Sequence, residues 1–140
     1  MPVSDVIPAG FEPIQRSSPF TDLIGPIYSQ QRDQHLILAI RGADKHCNGR
    51  GFIHGGILCT LADIAMGYNC ALASTSSKGM VTSNLTIDFA DSIRPGDWIE
   101  VRVDVQKVGR TLAFANCYFW EGDKRVARAS GVFCLPSSKS

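Results

Sequence analysis

The second half of the chain is written in a period of two. Val81, Ser83, Leu85, Ile87 and Phe89 alternate with Thr82, Asn84, Thr86 and Asp88, and Ile99, Val101, Val103 and Val105 alternate with Glu100, Arg102, Asp104 and Gln106. Such alternation predicts strands with one face buried. Thr111 to Trp120 and Arg125 to Leu135 continue as two further strands. Arg94-Pro95-Gly96-Asp97 and Glu121-Gly122-Asp123 predict turns, and Gly109-Arg110 predicts a two-residue hairpin link of the Gly-X kind. Upstream, Ser18 as cap and Pro19 at the first helical position predict a short helix over Phe20 to Leu23, ended by Gly25-Pro26. Ile27 to Arg32 and Gln34 to Ile40 predict two short strands, and the glycine-rich stretch Arg41 to Phe52 a loop.

Between these sets of strands lies one long helical segment, Ile53 to Ala73. At about 100° per residue, Ile57, Leu58, Leu61, Ile64, Ala65, Tyr68 and Leu72 fall within an arc of roughly 120°. That stripe is expected to lie on the sheet. The opposite arc holds Gly56, Cys59, Thr60, Asp63, Gly67 and Cys70, which are small residues with a single carboxylate. A solvent face ordinarily carries Lys, Glu and Arg, so this arc is expected to be covered as well, and Asp63 with it. Short strands, one long helix and then an antiparallel meander predict a curved antiparallel sheet wrapped around a central helix, an α+β fold.

Composition narrows the classes. The 140 residues fit one domain, expected over 18–136, with residues 1–17 as an arm and 137–140 as a tail. Hydrophobic residues make up 44% and charged residues 19%, with a net charge of +1, which argues against a dedicated nucleic-acid binder. No run of roughly 18 uninterrupted apolar residues and no basic-then-apolar leader is legible, so no membrane partner and a cytoplasmic location are expected. Five cysteines without CxxC spacing read as reduced thiols rather than disulfides or a metal site, and no metal is expected. His35 and His46 read as surface residues.

Candidate chemistry gathers at the start of the long helix. Gly49, Gly51, Gly55 and Gly56 leave the backbone around His54 open to a ligand. A helix N-terminus presents unpaired amides and partial positive charge, which suits a developing oxyanion. Asp63 follows about two turns on. A carboxylate on an otherwise uncharged face needs a partner or a task.

These residues carry a resemblance. Asn48-Gly49-Arg50-Gly51-Phe52-Ile53-His54-Gly55-Gly56, followed by Leu61-Ala62-Asp63, resembles the signature of the hotdog acyl-CoA thioesterases of the phenylacetate-pathway and thioesterase-superfamily-member-2 type. The likeness continues through Thr82 to Phe89, Arg94-Pro95-Gly96-Asp97 and Gly109-Arg110-Thr111-Leu112-Ala113, roughly the last two-thirds of the chain. It implies the hotdog fold, protomers joined edge to edge as a dimer or dimer of dimers (a homotetramer), and a site shared between subunits. It further implies Asp63 as general base or nucleophile, the Gly55 amide polarising the thioester carbonyl, Asn48 holding the reacting groups, His54 shaping the site and Thr82 positioning water. Asp63 of one subunit is expected to face Gly55 of the other. The substrate would be an acyl-CoA, with no separate cofactor. Gly56 would lie beside it, and Arg94, Lys107, Gly109 and Arg110 at strand turns would meet the nucleotide, with Arg50 and Lys45 as weaker candidates.

Each residue also has a plainer reading. Asp63 could be a buried structural carboxylate, His54 and Asn48 loop-organising groups, Thr82 an ordinary strand threonine, and the basic residues solvated turn charges. Two other functions fit the same fold: an acyl-CoA-binding protein without chemistry, and an enoyl-CoA hydratase or dehydratase.

Overall fold

The computed structural model describes residues 6–74 and 79–136. In chain order the elements are β1 (Glu12–Pro13), α1 (Pro19–Ile24), β2 (Ile27–Arg32), β3 (His35–Arg41), α2 (Gly55–Ala73), β4 (Val81–Phe89), β5 (Trp98–Val108), β6 (Leu112–Glu121) and β7 (Lys124–Cys134), with a 3-10 turn at Asp44–His46. Among the described residues the strands form one antiparallel sheet in the order β1-β2-β3-β5-β6-β7-β4, and α2 packs on one face. This is the sheet-around-helix architecture that the pattern predicts and the hotdog fold that the resemblance implies. The tail beyond Pro136 lies outside the described residues.

Helix α1 starts as its sequence dictates. The Ser18 hydroxyl accepts from the Thr21 amide at 3.2 Å, and the Ser18 amide donates to the Thr21 hydroxyl at 2.8 Å. The hairpin between β5 and β6 is shifted by one position from the expected link. Gly109 still belongs to the ladder, its amide donating to the Leu112 carbonyl at 2.8 Å, so Arg110-Thr111 is the two-residue turn. Gly122, at φ 61°, supplies the left-handed residue of the next hairpin.

The seat of α2 corrects the sequence reading. Its buried face is Leu58, Leu61, Ala62, Ala65, Met66, Asn69 and Cys70. Relative to the expected stripe the helix is rotated by roughly a quarter-turn. Leu72 is 56% exposed, Ile64 and Tyr68 are half-buried, and Cys70, expected on the arc facing away from the sheet, is fully buried. The physical reason is that α2 is apolar nearly all round, so hydrophobicity alone does not fix its rotation. Close approach and one polar contact do. Gly131 in β7 makes room, since a Cβ there would lie 3.0 Å from the Met66 Cε. Asn69 then locks the helix to β3: its Oδ1 accepts from the Leu36 amide at 2.9 Å, and its Nδ2 donates to the carbonyls of Leu36 at 2.9 Å and Ala65 at 2.8 Å. By length and a mean hydropathy of 1.4, α2 is long and apolar enough to cross a bilayer. Here it is the core helix, its Leu61 and Met66 buried together with Phe119 and Phe133 of the sheet. Each such side chain contributes roughly 1.5–3 kcal/mol.

Replacing Asn69 by Leu strips the Leu36 amide and carbonyl of their partners inside the core. The expected cost is about 2–4 kcal/mol. Urea unfolding of the variant and the parent checks this; an unchanged midpoint would mean that the amide does not pin the helix.

His46, expected at the surface, is 5% exposed. Its Nδ1 accepts from the Ala43 amide at 3.0 Å, which leaves Nε2 to donate to the Ile24 carbonyl at 2.6 Å. It therefore fastens the loop before α2 to the end of α1, and its own carbonyl accepts from the His54 amide at 2.8 Å. All five cysteines are free. Burial pushes the Cys70 thiol up and the Cys117 thiol up to about 12, so both stay protonated and inert near neutral pH.

Candidate active site

Two clusters of the expected residues form, at opposite ends of β4. The first surrounds the start of α2. His54 is the N-cap: its Nδ1 accepts from the Gly56 amide at 3.0 Å, and its carbonyl accepts from Ile57 at 3.1 Å. The Gly56 amide is thereby occupied. The Gly55 amide, by contrast, has no hydrogen-bond partner among the described residues. Phe89 at the end of β4 lies over Gly55, where a Cβ would come within 2.8 Å of the ring. Asn48 organises the preceding loop, its Oδ1 accepting from the amides of Arg50 at 2.9 Å and Phe52 at 3.2 Å. Arg94 sits above Phe52 with its guanidinium 5.7 Å from the ring centre, and the Ile53 amide donates to the Ile93 carbonyl at 2.8 Å. Asn48, His54, Gly55, Gly56 and Arg94 therefore share one end of the fold.

The second cluster is the middle of α2 against the start of β4. Asp63 is half-buried, and its Oδ1 accepts from the Thr82 hydroxyl. Strict alternation would point Thr82 away from the residues that pack on the helix, because Leu85 and Ile87 are of opposite parity. A bulge at Ser83 resolves this. Thr82 pairs with Phe133 and Asn84 with Val132, so one extra residue returns Thr82 to the helix side. No ion pair reaches Asp63 among the described residues. The carboxylate opens on a cleft of about 510 Å³ walled by Ile64, Gly67, Tyr68, Met80 and Phe133 and closed by Ile14, Arg16 and Ser18. The arm residues were not foreseen, since a Pro- and Ser-rich segment carries no period to place it. What holds them is β1, paired with β2, and the Ile14 amide donating to the Ile27 carbonyl at 2.9 Å.

Lys107, Gly109 and Arg110 lie at the β5–β6 hairpin. The register runs Val108–Ala113–Phe133–Thr82 across the sheet, which sets that hairpin at the Thr82 end. Within one chain neither Lys107 nor Arg110 lines the Asp63 cleft. Arg50 is exposed, and Lys45 is taken up by the Gly25 carbonyl. Trp120 is stacked between Arg102 and Arg125 on the strands.

Along α2, Gly55 and Asp63 are eight residues apart, about 12 Å of helix rise. A nucleophile or base and an oxyanion donor must both come within about 3 Å of one reacting carbonyl. Within a single chain Asp63 and the Gly55 amide, at opposite ends of β4, therefore cannot reach one carbonyl together. That strand is also one of the sheet's two edges, the longer one, bonded only to β7 among the described residues.

Fold and site together define a family. Residues 50–128 match the thioesterase superfamily model, and the chain belongs to that superfamily. A Pseudomonas aeruginosa protein named as an esterase is 47% identical over 131 residues, covering 93% of this chain and 98% of the relative. Acyl-coenzyme A thioesterase 13 of Mus musculus is 28% identical over 83 residues, 59% of each chain. Among solved structures, zebrafish thioesterase superfamily member 2 superposes with a TM-score of 0.78 at 24% identity, covering 85% of this chain and 88% of that one.

Proposed function

We propose that this chain is an acyl-CoA thioesterase, working as a dimer or dimer of dimers, in which Asp63 of one protomer and the Gly55 amide of its partner act on the same carbonyl. The observation that carries this reading is the half-site geometry: a carboxylate in an apolar cleft, and an unpartnered helix-start amide too far along the same helix to serve it. Antiparallel pairing of β4 with its own copy, about a two-fold near Leu85, opposes residue 82 of one chain to residue 88 of the other. Asp63 with Thr82 would then meet the partner's Gly55 and Phe89. The same operation would bring the partner's Arg94 toward Lys107 and Arg110, gathering cations for the phosphates of coenzyme A.

In the general-base route Asp63 takes a proton from water as the water oxygen bonds to the carbonyl carbon. The Gly55 amide takes the negative charge that develops on the carbonyl oxygen. Collapse of the tetrahedral adduct breaks the carbon–sulfur bond, and the CoA thiolate recovers the proton. In the nucleophilic route an Asp63 oxygen bonds to the carbonyl carbon and the carbon–sulfur bond breaks, leaving an anhydride and the CoA thiolate; water then opens the anhydride, freeing the acid and the Asp63 carboxylate, and its proton passes to the thiolate. Thr82 fixes one carboxylate oxygen and leaves the other free for either task.

The test is thiol release by the purified protein across a panel of acyl-CoAs, with Asp63→Ala as control. Release by the parent and not by the variant is expected. Tight acyl-CoA binding without release would favour a sensor, and loss of enoyl absorbance a hydratase.

A further inference from the structure

The Asp63 cleft ends at a wall with a second cavity behind it. That cavity, of about 570 Å³, is bordered by Gln15, Ser29, Gln31 and Leu36. Ile14, Arg16 and Tyr68 line both spaces, so these three side chains form the partition between them. Tyr68 comes from α2 and the other two from the arm held by β1. From Asp63 to Tyr68 the helix rises about 7.5 Å. The walls on the Asp63 side are mainly apolar, with Ile64, Met80 and Phe133, whereas the far side offers two glutamines and a serine. The Tyr68 hydroxyl has no hydrogen-bond partner among the described residues, so polar contacts do not explain its place.

From this arrangement we infer that Tyr68, backed by Ile14 of the arm, is the specificity-determining residue that limits acyl length and restricts the enzyme to compact apolar acyl groups, short alkyl or aryl. This rests on the thioesterase reading above. An acyl group whose carbonyl sits at Asp63 runs along the open flank of α2 and meets the Tyr68 ring within two turns. A longer chain has to displace the ring and then enter a polar chamber that solvates it poorly.

The experiment is kcat/KM for a series from acetyl-CoA to palmitoyl-CoA, with benzoyl- and phenylacetyl-CoA added, for the parent, Tyr68→Ala, Tyr68→Phe, Ile14→Ala and Asp63→Ala. The parent is expected to fall off sharply beyond a compact optimum. Tyr68→Ala should move that cut-off to longer chains, raising the long-to-short ratio by about 10-fold or more. Tyr68→Phe keeps the ring and should keep the parental cut-off, whereas Ile14→Ala should shift it in the same direction as Tyr68→Ala by a smaller factor. Circular dichroism of each variant separates loss of fold from a change of profile. Equal length profiles for the parent, Tyr68→Ala and Ile14→Ala, with activity that still depends on Asp63, would overturn the partition and leave the thioesterase reading intact. A parent inert on every thioester would overturn both.

Discussion

Asp63→Asn should lower kcat/KM about 10³-fold while leaving a folded protein of parental oligomeric size. The substitution is isosteric. An amide oxygen at the same point still accepts from the Thr82 hydroxyl, so the contact between α2 and β4 persists. What is lost is the negative charge and with it the ability to take a proton from water or to attack a carbonyl, a contribution of roughly 10²–10⁴ in rate for a positioned acid–base group. Because Asp63 is half-buried at a cleft rather than locked in an ion pair, its removal leaves no orphaned cation in the core. Stability should therefore move little. Steady-state kinetics with calorimetry of the same preparations separates the two roles. A variant that unfolds in proportion to its loss of rate would make Asp63 a structural carboxylate.

Gly55→Pro should cost roughly 10²–10³ in kcat with the helix intact. Proline is well tolerated at the first position of a helix, and it deletes the one amide at issue. His54, at φ −68° and ψ 135°, already has the extended conformation that a following proline requires. The cost is local, since the new ring crowds only Phe89, which is 52% exposed within its own chain. Gly55→Ala keeps the amide and crowds the same ring, so it serves as the control. Full activity in the proline variant would remove the amide from the mechanism.

The architecture was legible because its signals are local and redundant. Alternation over 81–89 and 99–105, proline and glycine at the turns, and the serine cap of α1 each specify their own neighbourhood. The family signature around His54 and Asp63 was legible for the same reason. What the chain hid was set by contacts between distant segments. The rotation of α2 depends on Gly131 and on Asn69 reaching Leu36, neither of which leaves a periodic trace in a helix that is apolar nearly all round. Thr82 turns toward Asp63 only because Ser83 bulges, and a bulge has no fixed residue type. His46 reads as a surface residue until its ring is seen to join the loop before α2 to the end of α1. The arm reads as surface chain until Ile14 and Arg16 close the cleft.

The proposal that each site is built from two chains has one direct test. Asp63→Ala and Gly55→Pro are each expected to be nearly inert alone. If the two are unfolded together and refolded in equal amounts, about half the pairs combine one chain of each kind. Each such pair holds one site with both defects and one with neither, so the mixture should recover about a quarter of parental activity. A mixture that reassorts, as two affinity tags would report, yet stays at the level of its inactive parents would contradict a shared site.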